Sequence, residues 1–266
     1  MPYLIRPGRA RQAADGRGEG LGLAVPGCAH PMVAPMEWAE LSRPGLGALP
    51  GPTGTGGPLQ WAVLNVNAGP GARPDPYCAP AAAALRQSGV AVLGHLDMRY
   101  GSRPFGELVS DAHRFLDWYG VDGFYMARCP AVSERLMEAS RTATTVRALC
   151  GGGAGGGHVV LEHGTYPHPG YAECADQLVT FAGSWSDYRW SQAAEWTADL
   201  PPERFCHLVH GLPRTHLEEA LRIARWQGAG TVCFTDRTAR GGQDPWETLP
   251  GYWDDIVSRI GPGVSE

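Results

Sequence analysis

Gly120-Val121-Asp122-Gly123-Phe124-Tyr125-Met126-Ala127-Arg128-Cys129-Pro130 is the stretch that decides the fold of this chain. It follows a helical pattern over Phe105–Tyr119 and reads as a strand buried on both faces, of the kind found in parallel sheets. The C-terminal end of such a strand is where chemistry is expected in a parallel barrel. Here that end carries Ala127 and Arg128, neither of them a carboxylate.

Working outward, similar apolar runs recur about every thirty residues. They are Pro31–Met36, Trp61–Asn67, Ala91–Asp97, Val121–Ala127, His158–Gly164, Gln177–Ala182, Phe205–His210 and Thr231–Asp236. Helical patterns over Ala79–Ser88, Phe105–Tyr119, Ala131–Leu149, Gln192–Asp199, Arg214–Trp226 and Leu249–Ile260 separate or close them. Eight strands alternating with helices in 266 residues predict a single (β/α)8 TIM-type barrel over residues 28–266, preceded by a flexible lead-in over residues 1–27. A doubly wound sheet would place a Gly-rich turn after its first strand, and none is there. Gly151–Gly157 leads into a strand instead of opening a helix, so it reads as a linker, not a phosphate loop.

Composition narrows the chemistry. A net charge of −5 with 18% charged residues argues against a nucleic-acid partner. All 22 basic residues are arginine, which removes Schiff-base chemistry and a lysine-dependent phosphate loop. The seven cysteines are scattered, without Cys-x-x-Cys spacing, and read as free thiols in a reducing compartment. No run reaches transmembrane length and no apolar segment follows the N-terminal arginines, so the expected setting is cytoplasmic, without a membrane partner. No motif implies a cofactor, and no Gly-x-Ser-x-Gly elbow appears.

Several segments together resemble the spherulation-specific family 4 (spherulin-4-like) proteins, relatives of glycoside hydrolases that cut galactosamine-containing polymers. They are Leu64–Gly71, Val92–Arg103, Trp118–Phe124, Ala175–Phe181, Phe234–Asp236 and Leu249–Trp253, in order and at fitting spacing. The resemblance implies a barrel whose fourth strand ends in Asp-Glu and whose sixth carries Phe-Glu. This chain has Ala127-Arg128 and Phe181-Ala182 at those places. Where the family shows Asn-Pro-Gly-Thr after the fifth strand, this chain has Glu162-His163-Gly164-Thr165. Glycoside hydrolysis needs two carboxyl groups flanking the bond, so the family mechanism is not expected here.

The strand ends supply other groups. Glu162, His95 and Asp97 are the candidate acid/base residues, with His95 and Asp97 on one face of their strand by period two. Arg128 is a candidate anion-binding group with the alternative of an ion pair to Asp97 or Glu162. Asn65, Tyr100, Arg103, Tyr125, His163, Trp185, His210 and Asp236 complete the expected binding set. Tyr125 and Trp185 would offer sugar-stacking faces, or serve as core. His95, His163 and His210 come from three strands with no short-spaced ligand pair, and no metal site is assigned to them. Three function classes stay open: an acid/base enzyme on a small polar or sugar-like molecule, a pseudoenzyme that binds a carbohydrate or metabolite, and a hydrolase using other carboxylates. Oligomeric state is not legible.

Overall fold

The structure is a computed structural model that describes residues 20–48, 56–151 and 157–260. Eight parallel strands close into one barrel in sequence order: β1 Gly22–Val25, β2 Leu59–Leu64, β3 Ala91–Asp97, β4 Gly123–Ala127, β5 His158–Glu162, β6 Gln177–Ser184, β7 Phe205–His210 and β8 Thr231–Phe234. The ring shuts where β1 pairs with β8, Gly22 against Thr231. Around it lie α1 Pro35–Leu41, α2 Cys78–Gln87, α3 Phe105–Tyr119, α4 Leu136–Leu149, α5 Trp185–Tyr188, α6 Leu217–Gln227 and α7 Trp253–Ile260.

Strand alternation sorts the apolar residues into two cores. Ala24, Trp61, Val63, Leu93, Tyr125, Val160, Val179, Cys206 and Leu208 fill the inside of the barrel. Their neighbours Leu23, Ala62, Val92, Phe124, Leu161, Leu178 and Val232 face the helices and join the outer layer. That is why the strands read as nearly continuous apolar runs. At the lower end a polar belt crosses the interior. Trp61 Nε1 donates to Gln177 Oε1 at 2.8 Å, and Gln177 Nε2 donates to Thr231 Oγ1 at 2.8 Å. The belt closes the bottom, so an open site is left to the upper end.

Two of the quoted motifs are strand-start devices. Asp122 Oδ2 accepts the Val92 N–H at 2.8 Å, and Asp176 Oδ2 accepts the Val159 N–H at 2.7 Å. Each aspartate satisfies a backbone donor of the neighbouring strand, which a buried N–H requires. Gly123 is there because a Cβ at that position would lie 2.0 Å from the His158 carbonyl oxygen.

Some expectations are corrected. Pro31–Met36 is not a strand: Pro35 sits in the first turn of α1, where its missing N–H costs nothing. The first strand is Gly22–Val25, inside the stretch read as lead-in, so the barrel begins before residue 28. Residues 1–19 of that lead-in, and 152–156 of the glycine linker, lie outside the described residues. Gln192–Asp199 forms only a 3₁₀ turn over Glu195–Asp199; the helix of that connection is α5, one turn capped by Ser184 Oγ accepting the Asp187 N–H at 3.2 Å.

Candidate functional site

The C-terminal mouth of the barrel holds a cavity of about 360 Å³. Its walls are His95 from β3, Tyr125 and Ala127 from β4, Glu162 from β5, Ala182 from β6, Leu208 from β7, and Asn65 and Val66 after β2. The β1–α1 loop adds Pro26–His30, and the loop after β8 adds Asp244, Trp246 and Glu247. Small side chains at 127 and 182 help keep this space open. Ala182 reaches the inside because the pairing of β6 with β7 slips between Val179 and Phe181, which resets the alternation.

Backbone strain gathers at the same rim. Among the described residues the non-glycine positions with positive φ are Ala68, Arg99, Tyr100 and Arg128, at 48°, 45°, 55° and 51°. All four lie in the connections that leave β2, β3 and β4. Such conformations persist where the surroundings over-determine them, and they cluster at working sites.

Glu162 is the central titratable group. Its Oε2 accepts the Arg128 N–H at 2.7 Å, and Oε1 has no hydrogen-bond partner among the described residues. Burial raises its pKa above the usual carboxylate range; the Arg128 N–H and guanidinium oppose this, and Asp97 adds to it. A carboxyl of raised pKa keeps its proton to higher pH and is a stronger base once ionised, which suits it to acid/base work. His95 lines the same cavity and lies over Tyr125, ring centroids 6.3 Å apart. Burial lowers the His95 pKa, with Asp97 opposing and Arg128 adding, so the imidazole is neutral near pH 7. Its Nδ1 is buried without a partner. A polar atom in that state is costly unless something pairs with it.

Arg128 is not an unmatched cation: of the two readings, free anion-binding group or ion pair to Asp97 or Glu162, the structure has the pair to Asp97. Its Nε donates to Asp97 Oδ1 at 2.8 Å and its Nη2 donates to Asp97 Oδ2, a bidentate pair. The guanidinium also lies 5.9 Å from the Tyr100 ring centre. The pair forms because β3 and β4 run in register, Asp97 beside Ala127, which sets Arg128 one residue beyond. Asp97 is therefore removed from the acid/base candidates. Burial alone would raise its pKa, but the Arg128 hydrogen bonds and the Arg99 N–H hold it below the usual range.

The other expected residues divide by position. Asn65 and Tyr125 line the cavity; Asn65 Oδ1 accepts the Gly69 N–H at 3.0 Å, which leaves its amide donors for a ligand. Four expectations are corrected because the residues are engaged elsewhere. Arg103 pairs with Asp111 and Glu107 of α3. His163 follows Glu162 and so points the other way, with Nδ1 3.0 Å from the Pro130 carbonyl and its ring on Tyr171. Trp185 is buried against Tyr188 in the outer core. Asp236 is exposed and accepts the Gly251 N–H at 3.4 Å. Tyr100 stands at the rim, exposed, beside Arg128. His210 touches the cavity only through Trp246, 6.2 Å between ring centres. His95, His163 and His210 do not converge.

Sequence reasoning missed the β1–α1 loop and the Asp244–Glu247 segment. The one signal for the latter was Trp246, an aromatic in a Gly- and Asp-rich stretch.

Comparison with known proteins places the chain. The model of the family described as spherulation-specific family 4 matches residues 60–260. Spherulin-4 of Physarum polycephalum is 23% identical over 210 residues, which is 75% of this chain. The chain spans 61% of that relative's length. Among solved structures, Sph3 of Aspergillus clavatus in complex with GalNAc superposes with a TM-score of 0.75 at 21% identity, covering 91% of this chain and 98% of that one.

Proposed function

The chain belongs to spherulation-specific family 4, and from that premise we propose that it is a divergent member whose mouth cavity takes a small polar, sugar-like molecule. Glu162 acts on that molecule as the acid/base group, with neutral His95 and the amide of Asn65 as hydrogen-bonding partners. The observation that carries the reading is Glu162 itself: a pinned carboxyl of raised pKa in the wall of an open cavity. In this reading the acid pair that the resemblance implies is lost, with Ala127 and Arg128 in its place and Ala182 on the next wall. Arg128 and Asp97 serve as a clamp that presents the Arg128 N–H to Glu162. The GalNAc held by Sph3 supports a sugar-like ligand on this fold. Seven unpaired cysteines support a reducing, intracellular setting.

A second reading, a binding protein without turnover, is favoured because Glu162 is the one strand carboxyl among the residues lining the cavity, Asp97 of β3 being held by Arg128. Asp244 and Glu247 reach the cavity only from a loop. The two readings part in one assay. Purified protein is incubated with galactosamine, galactose and glucose polymers and with their monosaccharides. The proposal expects no sugar release from the polymers, since losing an acid/base group costs about 10²–10⁴-fold. It expects a slow conversion of a small ligand that Glu162→Gln abolishes while binding is kept. Binding without conversion supports the second reading. Polymer cleavage that survives Glu162→Gln overturns both.

A further inference from the structure

Beside the cavity, three side chains that the proposed chemistry does not use converge on one point. His30 belongs to the β1–α1 loop, Asp75 to the loop before α2, and Cys78 is the first residue of α2. His30 Nε2 lies 3.2 Å from Asp75 Oδ1 and 3.5 Å from Cys78 Sγ, and all three ligand atoms fall within 4.8 Å of one another. Among the described residues this is the one cluster of three or more His, Cys, Asp or Glu able to hold an ion.

We propose that His30, Asp75 and Cys78 form a three-ligand site for a zinc-type divalent cation at the rim of the barrel mouth. The spacing is the argument. In a tetrahedral zinc site the bond lengths to N, O and S require N···O and N···S edges of about 3.3 and 3.6 Å. The two measured edges are 3.2 and 3.5 Å. Two of the three edges therefore already match the ion, and the third, between Asp75 and Cys78, lies within 4.8 Å.

The donors suit it chemically. Thiolate, imidazole and carboxylate together select a borderline-soft ion over magnesium or calcium, which prefer oxygen. Asp75 is oriented from behind, since its Oδ1 also accepts the Tyr77 and Cys78 N–H groups at 2.9 and 3.1 Å. A serine-protease-like triad does not describe the arrangement: acid and thiol both meet the same nitrogen, Nε2, where a relay would use the two nitrogens separately. Binding displaces the thiol proton to solvent and moves the imidazole proton to Nδ1. The cost is the exposed Met32 N–H···Nδ1 contact of 3.2 Å, which water can replace.

Three protein ligands leave a fourth position, and His30 itself lines the cavity. The ion thus ties the β1–α1 loop to the start of α2 and offers a water or ligand site at the cavity edge. This inference is independent of the role given to Glu162, because its readout is metal binding without any sugar.

The test titrates the full, untagged chain with Zn²⁺ against a chromophoric chelator and with Co²⁺ by absorption. The expected result is one equivalent per chain, with a thiolate-to-cobalt charge-transfer band and visible bands of tetrahedral intensity. Cys78→Ser and His30→Ala each weaken binding tenfold or more, and Cys150→Ser, at the residue that follows α4, leaves it unchanged. Should the wholly buried Cys78 not tolerate replacement, the partly exposed His30 variant decides. No saturable binding at one equivalent, cobalt binding without the thiolate band, or His30→Ala within twofold of wild type overturns the site.

Discussion

Glu162 and Arg128 are coupled through the backbone as well as by charge, and their substitutions separate the two effects. Because burial raises the Glu162 pKa, the folded state keeps that proton longer than the unfolded chain does. Stability then falls as pH rises from the ordinary carboxylate range through the raised value. Glu162→Gln keeps an acceptor for the Arg128 N–H and removes this slope, so it should melt above wild type at neutral pH and lose that advantage at low pH. Thermal melts across pH check it. Arg128→Ala should destabilise by about 1–2 kcal/mol, because Asp97 is 8% exposed while the arginine side chain is 48% exposed and partly screened. Arg128→Gly should recover about 1 kcal/mol of that loss, since glycine accepts a φ of 51° without strain. Equal melting of the two variants would remove the strain from the account. At this scale strand period put His95 with Asp97 on one face of their strand, and only the polarity of such residues pointed them toward the mouth, where the structure lines the cavity with Asn65, His95, Tyr125 and Glu162. The sequence offered the ion pair of Arg128 to Asp97 or Glu162 as one of two readings but did not decide between them, because Asp97 meets the arginine only through β3–β4 register. Nor did it show that α3 captures Arg103 through Asp111.

Strands β2 to β8 were legible because their two buried faces make continuous apolar runs, and α3 matches its expected bounds of Phe105–Tyr119. Strand β1 was not. It is four residues long in a Gly- and Arg-rich setting, and it holds its place by pairing with β2 and β8 rather than by local propensity. The loops after β1 and β8 were hidden for a related reason: their paths over the mouth are set by what they pack against. The element-level claim is that the aspartates before β4 and β6 hold neighbouring strands. Asp122→Ala should cost about 1–2 kcal/mol by leaving the Val92 N–H unpaired, and Asp122→Asn should restore most of it. Chemical denaturation measures this; an alanine variant as stable as wild type would make the motif decorative.

The whole molecule has a pH response built from buried neutral histidines. Burial lowers His163 to about 4 and His207 to about 3. The unfolded chain takes up these protons first, near pH 6.5, so stability is present above that pH and falls as pH drops toward 4. Each contributes up to about 1.4 kcal/mol per pH unit. His163→Gln should flatten the acid limb of the stability curve, and an unchanged limb would count against the burial described. Among the described residues no helix is long and apolar enough to cross a membrane. The central claim, a ligand cavity at the mouth with Glu162 in its wall, is tested most directly by ligand-observed NMR. The probe is N-acetylgalactosamine, the sugar present in the Sph3 complex, against wild type and Ala182→Phe, which fills the cavity. The account predicts saturable binding that falls tenfold or more in Ala182→Phe, about 1.4 kcal/mol, at an unchanged melting temperature. Absence of binding, or binding indifferent to the added ring, would contradict it.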